Sequence, residues 1–90
     1  MKQTDLYDMA NRCGFAVSVY SDHPEFFSSW SLRIKKSESS YLLENDGRDG
    51  WLLFYKELEP NKFQEIDKKT SQAMSDSEKL NQCEAWLLTV

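Results

Sequence analysis

Little in this chain is equipped for chemistry. It has one histidine, two cysteines, two prolines and three glycines in 90 residues. His23 stands alone before Pro24, so no Ser-His-Asp or Cys-His arrangement can be assembled around it. Cys13 and Cys83 lie near opposite ends of the chain, with no CxxC pair and no neighbouring histidine, which removes metal-ligand spacing. They read as two buried thiols, since free cysteine packs as a small apolar residue; a disulfide between them is the alternative. The glycine patterns that cradle dinucleotides or phosphates and the HExxH helix are missing. The segment from Asp46 to Asp49 lacks the alternating aspartates and closing glutamate of a calcium loop, so it reads as turn chemistry. Glu57 and Glu59 are a carboxylate pair without an expected cleft. The expectation is a chain that is not an enzyme, with no catalytic residue, no metal and no cofactor.

Long apolar runs and excess basic charge are missing too. No run approaches the roughly 18 apolar residues of a membrane-spanning helix. The opening MKQTDLYD has no apolar stretch of a secretory signal, so a cytoplasmic location is expected. Eleven basic residues face 15 acidic ones, a net charge of −4. The first 45 residues carry 6 acids and 5 bases, and the last 45 carry 9 acids and 6 bases. This balance argues against nucleic acid and against an anionic membrane surface, both of which need clustered Lys and Arg. It suits a basic protein partner, and it is also ordinary for a small acidic protein.

What is present is aromatic and apolar. Aromatics make up 13% and hydrophobic residues 40%, enough for one core, so a single ordered domain over residues 1–90 is expected. Leu6, Met9, Ala10 and Cys13 repeat at helical spacing, which predicts a helix over residues 4–13, with Thr4 as N-cap and Gly14 as terminator. Residues 15–20 alternate as a half-buried strand with Phe15, Val17 and Val19 on one side. Residues 21–29 read as a loop, with Phe26 and Phe27 folding back onto the core edge. Strands are expected at about residues 30–36, 40–45 and 50–58, with a polar edge strand at 63–70 whose Lys62, Lys68 and Lys69 discourage further pairing. Residues 46–49 connect two of these strands, with Gly47 and Gly50 supplying the turn. Ser75 and Glu78 form the S-x-x-E capping box of a last helix over residues 75–88, whose inner face is Leu80, Cys83 and Leu87 with Trp86 and Val90 flanking it. The fold class is α+β: an N-terminal helix, an antiparallel meander of four or five strands, and a C-terminal helix, both helices on one sheet face.

The two strand-opening tryptophans, Trp30 in WSLRI and Trp51 in WLLFY, are separated by register. A turn centred on Ser37 and Glu38 sets Ile34 opposite Tyr41 and Leu32 opposite Leu43. Pairing Asn45 with Gly50 sets Leu43 opposite Leu52 and Tyr41 opposite Phe54. Opposed residues in an antiparallel pair share a face. Trp30, Leu32, Ile34, Tyr41, Leu43, Leu52 and Phe54 then form one apolar layer, the expected core. The basic cluster Arg33, Lys35 and Lys36 lacks the exposed rings of a single-strand binder, because Tyr41 and Phe54 fall on that core face.

The opposite face gathers Leu42, Trp51, Leu53 and Tyr55, flanked by Glu44, Asp46, Asp49 and Glu57. An outward aromatic patch rimmed by acids is a candidate partner-binding surface, with Trp51 and Tyr55 as anchors and the acids as steering charges. Two other readings stay open: the loop with Phe26 and Phe27 folds over this face, or the register is different.

The order helix, meander, helix, with W-x-L-x-I opening one strand and DGRDGWLLFY leading an aromatic one, resembles small bacterial immunity proteins. These are the partners of contact-dependent inhibition and polymorphic toxins, the TriTu-type families among them. The resemblance spans most of the chain. It implies an acidic protein that binds a cognate toxin domain in the producing cell and blocks it, and it transfers no individual binding residue. A phage-encoded inhibitor of a host defence complex, of the anti-CRISPR kind, and a small accessory domain that homodimerises through the same face are the alternatives.

Overall fold

The computed structural model describes residues 2–23 and 29–90. Helix α1 (Gln3–Arg12) is followed by strands β1 (Ala16–His23), β2 (Ser29–Lys36), β3 (Ser39–Asp46), β4 (Trp51–Glu59) and β5 (Lys62–Thr70), then helix α2 (Asp76–Leu87). The strands form one antiparallel sheet in sequence order. Both helices lie on one face of it, as the α+β reading expects, and the core they enclose is continuous.

Local sequence accounts for the helix ends. In α1 the cap sits earlier than Thr4: Lys2 is the N-cap, and its backbone N–H donates to the Asp5 carboxylate at 3.1 Å. At the other end Gly14 takes φ +84, the Gly14 N–H donates to the Asn11 carbonyl, and the Phe15 N–H donates to the Ala10 carbonyl. That reciprocal pair closes a helix on a left-handed glycine. Helix α2 begins with the expected capping box: the Glu78 N–H donates to Ser75 Oγ and the Ser75 N–H to Glu78 Oε1, both at 3.1 Å.

Turn chemistry sets the meander. The β2–β3 turn is Ser37–Glu38, with Ser37 at φ +56, and the β4–β5 turn is Pro60–Asn61, with Asn61 at φ +65. Proline presets the first position of such a turn and asparagine tolerates the left-handed second. Between β3 and β4, Asp46 Oδ1 accepts from the N–H groups of Arg48 and Asp49, each at 3.1 Å, and the Gly50 N–H donates to the Asp46 carbonyl at 2.8 Å. Of the two glycines here only Gly50 has a positive φ, +75.

The buried layer of the sheet is Trp30, Leu32, Ile34, Tyr41, Leu43, Leu52 and Phe54, as expected, joined by Asn45. Leu6, Met9, Ala10 and Cys13 from the first helical stripe and Cys83, Trp86 and Leu87 from α2 cover it. Leu80 is half-buried and Val90 is exposed. Four rings run through this core: Phe15 meets Tyr41 edge-on at 5.8 Å, Tyr41 stacks on Phe54 at 5.7 Å, and Phe54 stacks on Trp86 at 5.5 Å. Both cysteines are buried and free, which fits the thiol reading rather than the disulfide.

Three expectations about the strands change. The β3–β4 pairing slides by two residues: Asp46 meets Trp51, Leu43 meets Phe54 and Tyr41 meets Lys56. Side chains alternate with period two, so this slide leaves every residue on its expected face. In β1 the register breaks between Val17 and Val19, which turns Val19 out to 51% exposure and brings Tyr20 onto the core side with Val17. Part of the expected loop, residues 21–23, is strand, with Asp22 opposite Trp30. The expected folding-back of Phe26 and Phe27 lies outside the described residues.

Candidate functional surface

The open face of the sheet is assembled by cross-strand register in rows. One row runs Ser21, Ser31, Glu44, Leu53, Lys68 from β1 to β5. The next runs Val19, Arg33, Leu42, Tyr55, Glu65. Toward the β3–β4 turn stand Asp46, Trp51 and Thr70, and toward the other end Glu57 lies opposite Phe63. Opposed residues in an antiparallel ladder have side chains within contact reach, so each row is a strip of neighbours.

The eight expected partner-binding residues are thus placed as follows. Leu42, Trp51, Leu53 and Tyr55 are half-buried neighbours on β3 and β4. Glu44 stands between Ser31 and Leu53, inside the patch rather than on its rim. Asp46 ends β3 and organises the turn, Asp49 is exposed within that turn, and Glu57 is half-buried at the far end, its Oε2 accepting from the Asn61 N–H at 3.3 Å. Trp30, by contrast, is in the core at 6% exposure.

Sequence reasoning did not place Phe63, Lys68, Val19 or Ser21 in this surface, nor did it see where Arg33 reaches. Phe63 meets Tyr55 edge-on, ring centroids 6.3 Å apart. The Arg33 guanidinium lies 5.2 Å from the Phe63 centroid, so its side chain crosses the face from β2 to β5. The Lys68 ammonium lies 4.5 Å from the Trp51 centroid. Cations over ring faces are attracted by the negative π face. The signal available was the alternation of Phe63 and Glu65 in β5. Register breaks at Phe54/Tyr55 and at Glu57/Glu59 decouple that strand from simple counting.

Electrostatics follow from this packing. Burial raises the Glu44 carboxyl above its ordinary value, and the neighbouring Asp46 charge raises it further. The Tyr55 phenol is also pushed up, first by burial and then by Glu44, Glu65 and Asp46. Both positive groups that lie over rings of this face are held there, while Glu44 has no cation against it among the described residues.

Hollows lie on this face and at its end. One, of about 220 Å3, is lined by Val19, Ser21, Ser31, Arg33, Leu42 and Glu44. A second, of about 340 Å3, lies toward the end of the sheet between His23, Ser29, Trp30 and Glu44 to Asp46. Among the described residues no cluster of three or more His, Cys, Asp or Glu is arranged to hold a metal ion. No helix among them is long and apolar enough to cross a membrane.

Comparison with protein-family models, with curated proteins and with solved structures returns no match for this chain.

Proposed function

We propose that this is a non-enzymatic, cytoplasmic binding protein: an immunity protein that neutralises a cognate bacterial toxin by holding it against the open face of the sheet. The observation that carries the reading is the row of half-buried Trp51, Leu53 and Tyr55 on the face opposite both helices, extended by Phe63. Flat, rigid sheet surfaces with aromatic anchors bind proteins at low entropic cost, because the rings are already ordered before contact. Here the Arg33 guanidinium and the Lys68 ammonium lie over two of the rings.

Charge supports the same reading. The chain carries −4 overall, and Glu44, Asp46, Asp49 and Glu57 stand in or beside the aromatic patch. Such a surface draws a basic domain by long-range attraction and accelerates its association.

The test is affinity capture from the native host with the wild-type chain and with a Trp51→Ala/Tyr55→Ala variant, followed by co-expression with the captured protein. The reading requires that the captured protein be toxic, that the wild-type chain restore growth, and that the double variant, folded by circular dichroism, neither capture nor protect. A folded double variant that retains the partner at full affinity removes the open face as the binding surface. A captured protein without toxicity removes the immunity function.

A further inference from the structure

We propose that the groove between β1 and β3 on the open face is a socket for one arginine side chain of the partner protein, with Glu44 as its counter-ion. The inference rests on the reading above only in taking a protein as the source of that arginine.

The groove's volume, about 220 Å3, is small for a small-molecule site, which usually needs about 300 Å3 or more, and it suits a single long side chain. Its walls are divided by chemistry. Val19 and Leu42 are aliphatic, and the arm of Arg33 beside them carries its charge away toward Phe63 on β5. Ser21 and Ser31 line the other side, each hydroxyl able to accept a hydrogen bond, and Glu44 completes the lining. An incoming side chain therefore meets an apolar surface for a methylene stem and acceptors for a polar head.

The charge of that head follows from the neighbours. Glu44 is half-buried, and Asp46 stands on the same side of β3 two residues on. Arg33 and Lys68, the cations nearest in the sheet register, lie over Phe63 and Trp51. Burial and the Asp46 charge both disfavour the Glu44 carboxylate, and no cation among the described residues offsets them. A partly desolvated carboxylate in this state gains most from a cation delivered into the groove, and a planar guanidinium answers it with two parallel hydrogen bonds while offering further N–H groups to the serines.

The probe is N-acetyl-arginine methylamide titrated into 15N-labelled protein, with the isosteric, uncharged citrulline amide as comparison. Saturable shifts at the amides of Ser31, Leu42 and Glu44, absent with the citrulline compound, are the expected result. Glu44→Gln should weaken the arginine response by about ten-fold, as loss of one charge-assisted pair does, while Glu38→Gln, exposed in the β2–β3 turn, should leave it unchanged. Non-saturable shifts, equal response to citrulline, or equal losses in both variants would each overturn the socket. The titration needs no toxin. A failed titration beside a Trp51-dependent partner removes the socket alone, and a successful one beside an unchanged Trp51→Ala/Tyr55→Ala complex removes the aromatic surface alone.

Discussion

The indole N–H of Trp86 in α2 donates to Oδ2 of Asp67 in β5 at 3.0 Å. This bond ties the last helix to the last strand and fixes the ring that stacks on Phe54. The same carboxylate accepts from the Lys68 N–H at 2.8 Å and faces Lys69 at 3.8 Å. The indole bond first, then the Lys68 N–H and the Lys69 charge, hold its carboxyl below the ordinary 3.8.

A group with a depressed folded-state pKa contributes stability above its unfolded value and loses it as pH falls through its folded value. The wild-type chain should therefore lose more stability on acidification through the carboxylate range than Asp67→Asn, which keeps an acceptor oxygen for Trp86 but cannot titrate. Urea unfolding at neutral pH and at successive acidic values measures this. Parallel pH profiles for the two proteins would show that Asp67 contributes no linkage.

The two tryptophans of the meander should separate by role. Trp30→Ala removes a ring that is 6% exposed and should cost about 3–5 kcal/mol. Trp51→Ala removes a half-buried ring on the open face and should cost about 1 kcal/mol. Chemical denaturation of both variants decides the matter. Similar costs would mean that the open face is covered in solution.

Gly50→Ala should destabilise by about 1–2 kcal/mol, the cost of a side chain in the left-handed region. Its φ is +75, and a Cβ there would lie 2.2 Å from Gln72 Cγ. Gly47→Ala in the same turn should be better tolerated, since Gly47 has no positive φ. Thermal melts of the pair provide the comparison, and equal losses would refute the distinction.

Burial raises both thiols, that of Cys83 to about 12, with Glu84 adding to the effect at Cys13. The thiolate is the reactive form. Neither cysteine should react with a disulfide reagent at mildly alkaline pH faster than the native state opens, and both should react at once in guanidinium. Rapid labelling of one thiol in the folded protein would place that residue at the surface.

Removing the Ser75 hydroxyl should cost about 1 kcal/mol, the usual worth of an N-cap. Ser75→Ala loses the acceptor for the Glu78 N–H, whereas Ser75→Asp should retain most of the stability. Denaturant midpoints of the two variants test this.

What could be read from the sequence was whatever depends on near neighbours. The stripe Leu6, Met9, Ala10 and Cys13, the Ser75/Glu78 box and the Ile34–Tyr41 register all lie within a few residues of the signals that specify them. The β3–β4 register was misplaced by two, because alternation alone is blind to an even slide; the Asp46 side chain and the left-handed Gly50 set the turn. Val19 was assigned to the wrong face because one extra residue in β1 reverses the alternation beyond it. Leu42, Trp51, Leu53 and Tyr55 stand on the face that alternation predicts, opposite the core. Phe63 and Lys68 were missed as members because β5 carries two register breaks against its neighbour. The long reach of Arg33 is a tertiary fact with no counterpart in spacing.

The strand order β1-β2-β3-β4-β5 has a kinetic consequence. Every pairing in the sheet joins segments adjacent along the chain, so contact order is low for a sheet protein and each hairpin can zip onto the one before it. The exception is α1 against α2, where Arg12 and Glu84 approach to 3.8 Å from opposite ends of the sequence. Closing that distance costs the most in loop entropy, because the whole meander lies between the two helices that dock on its face.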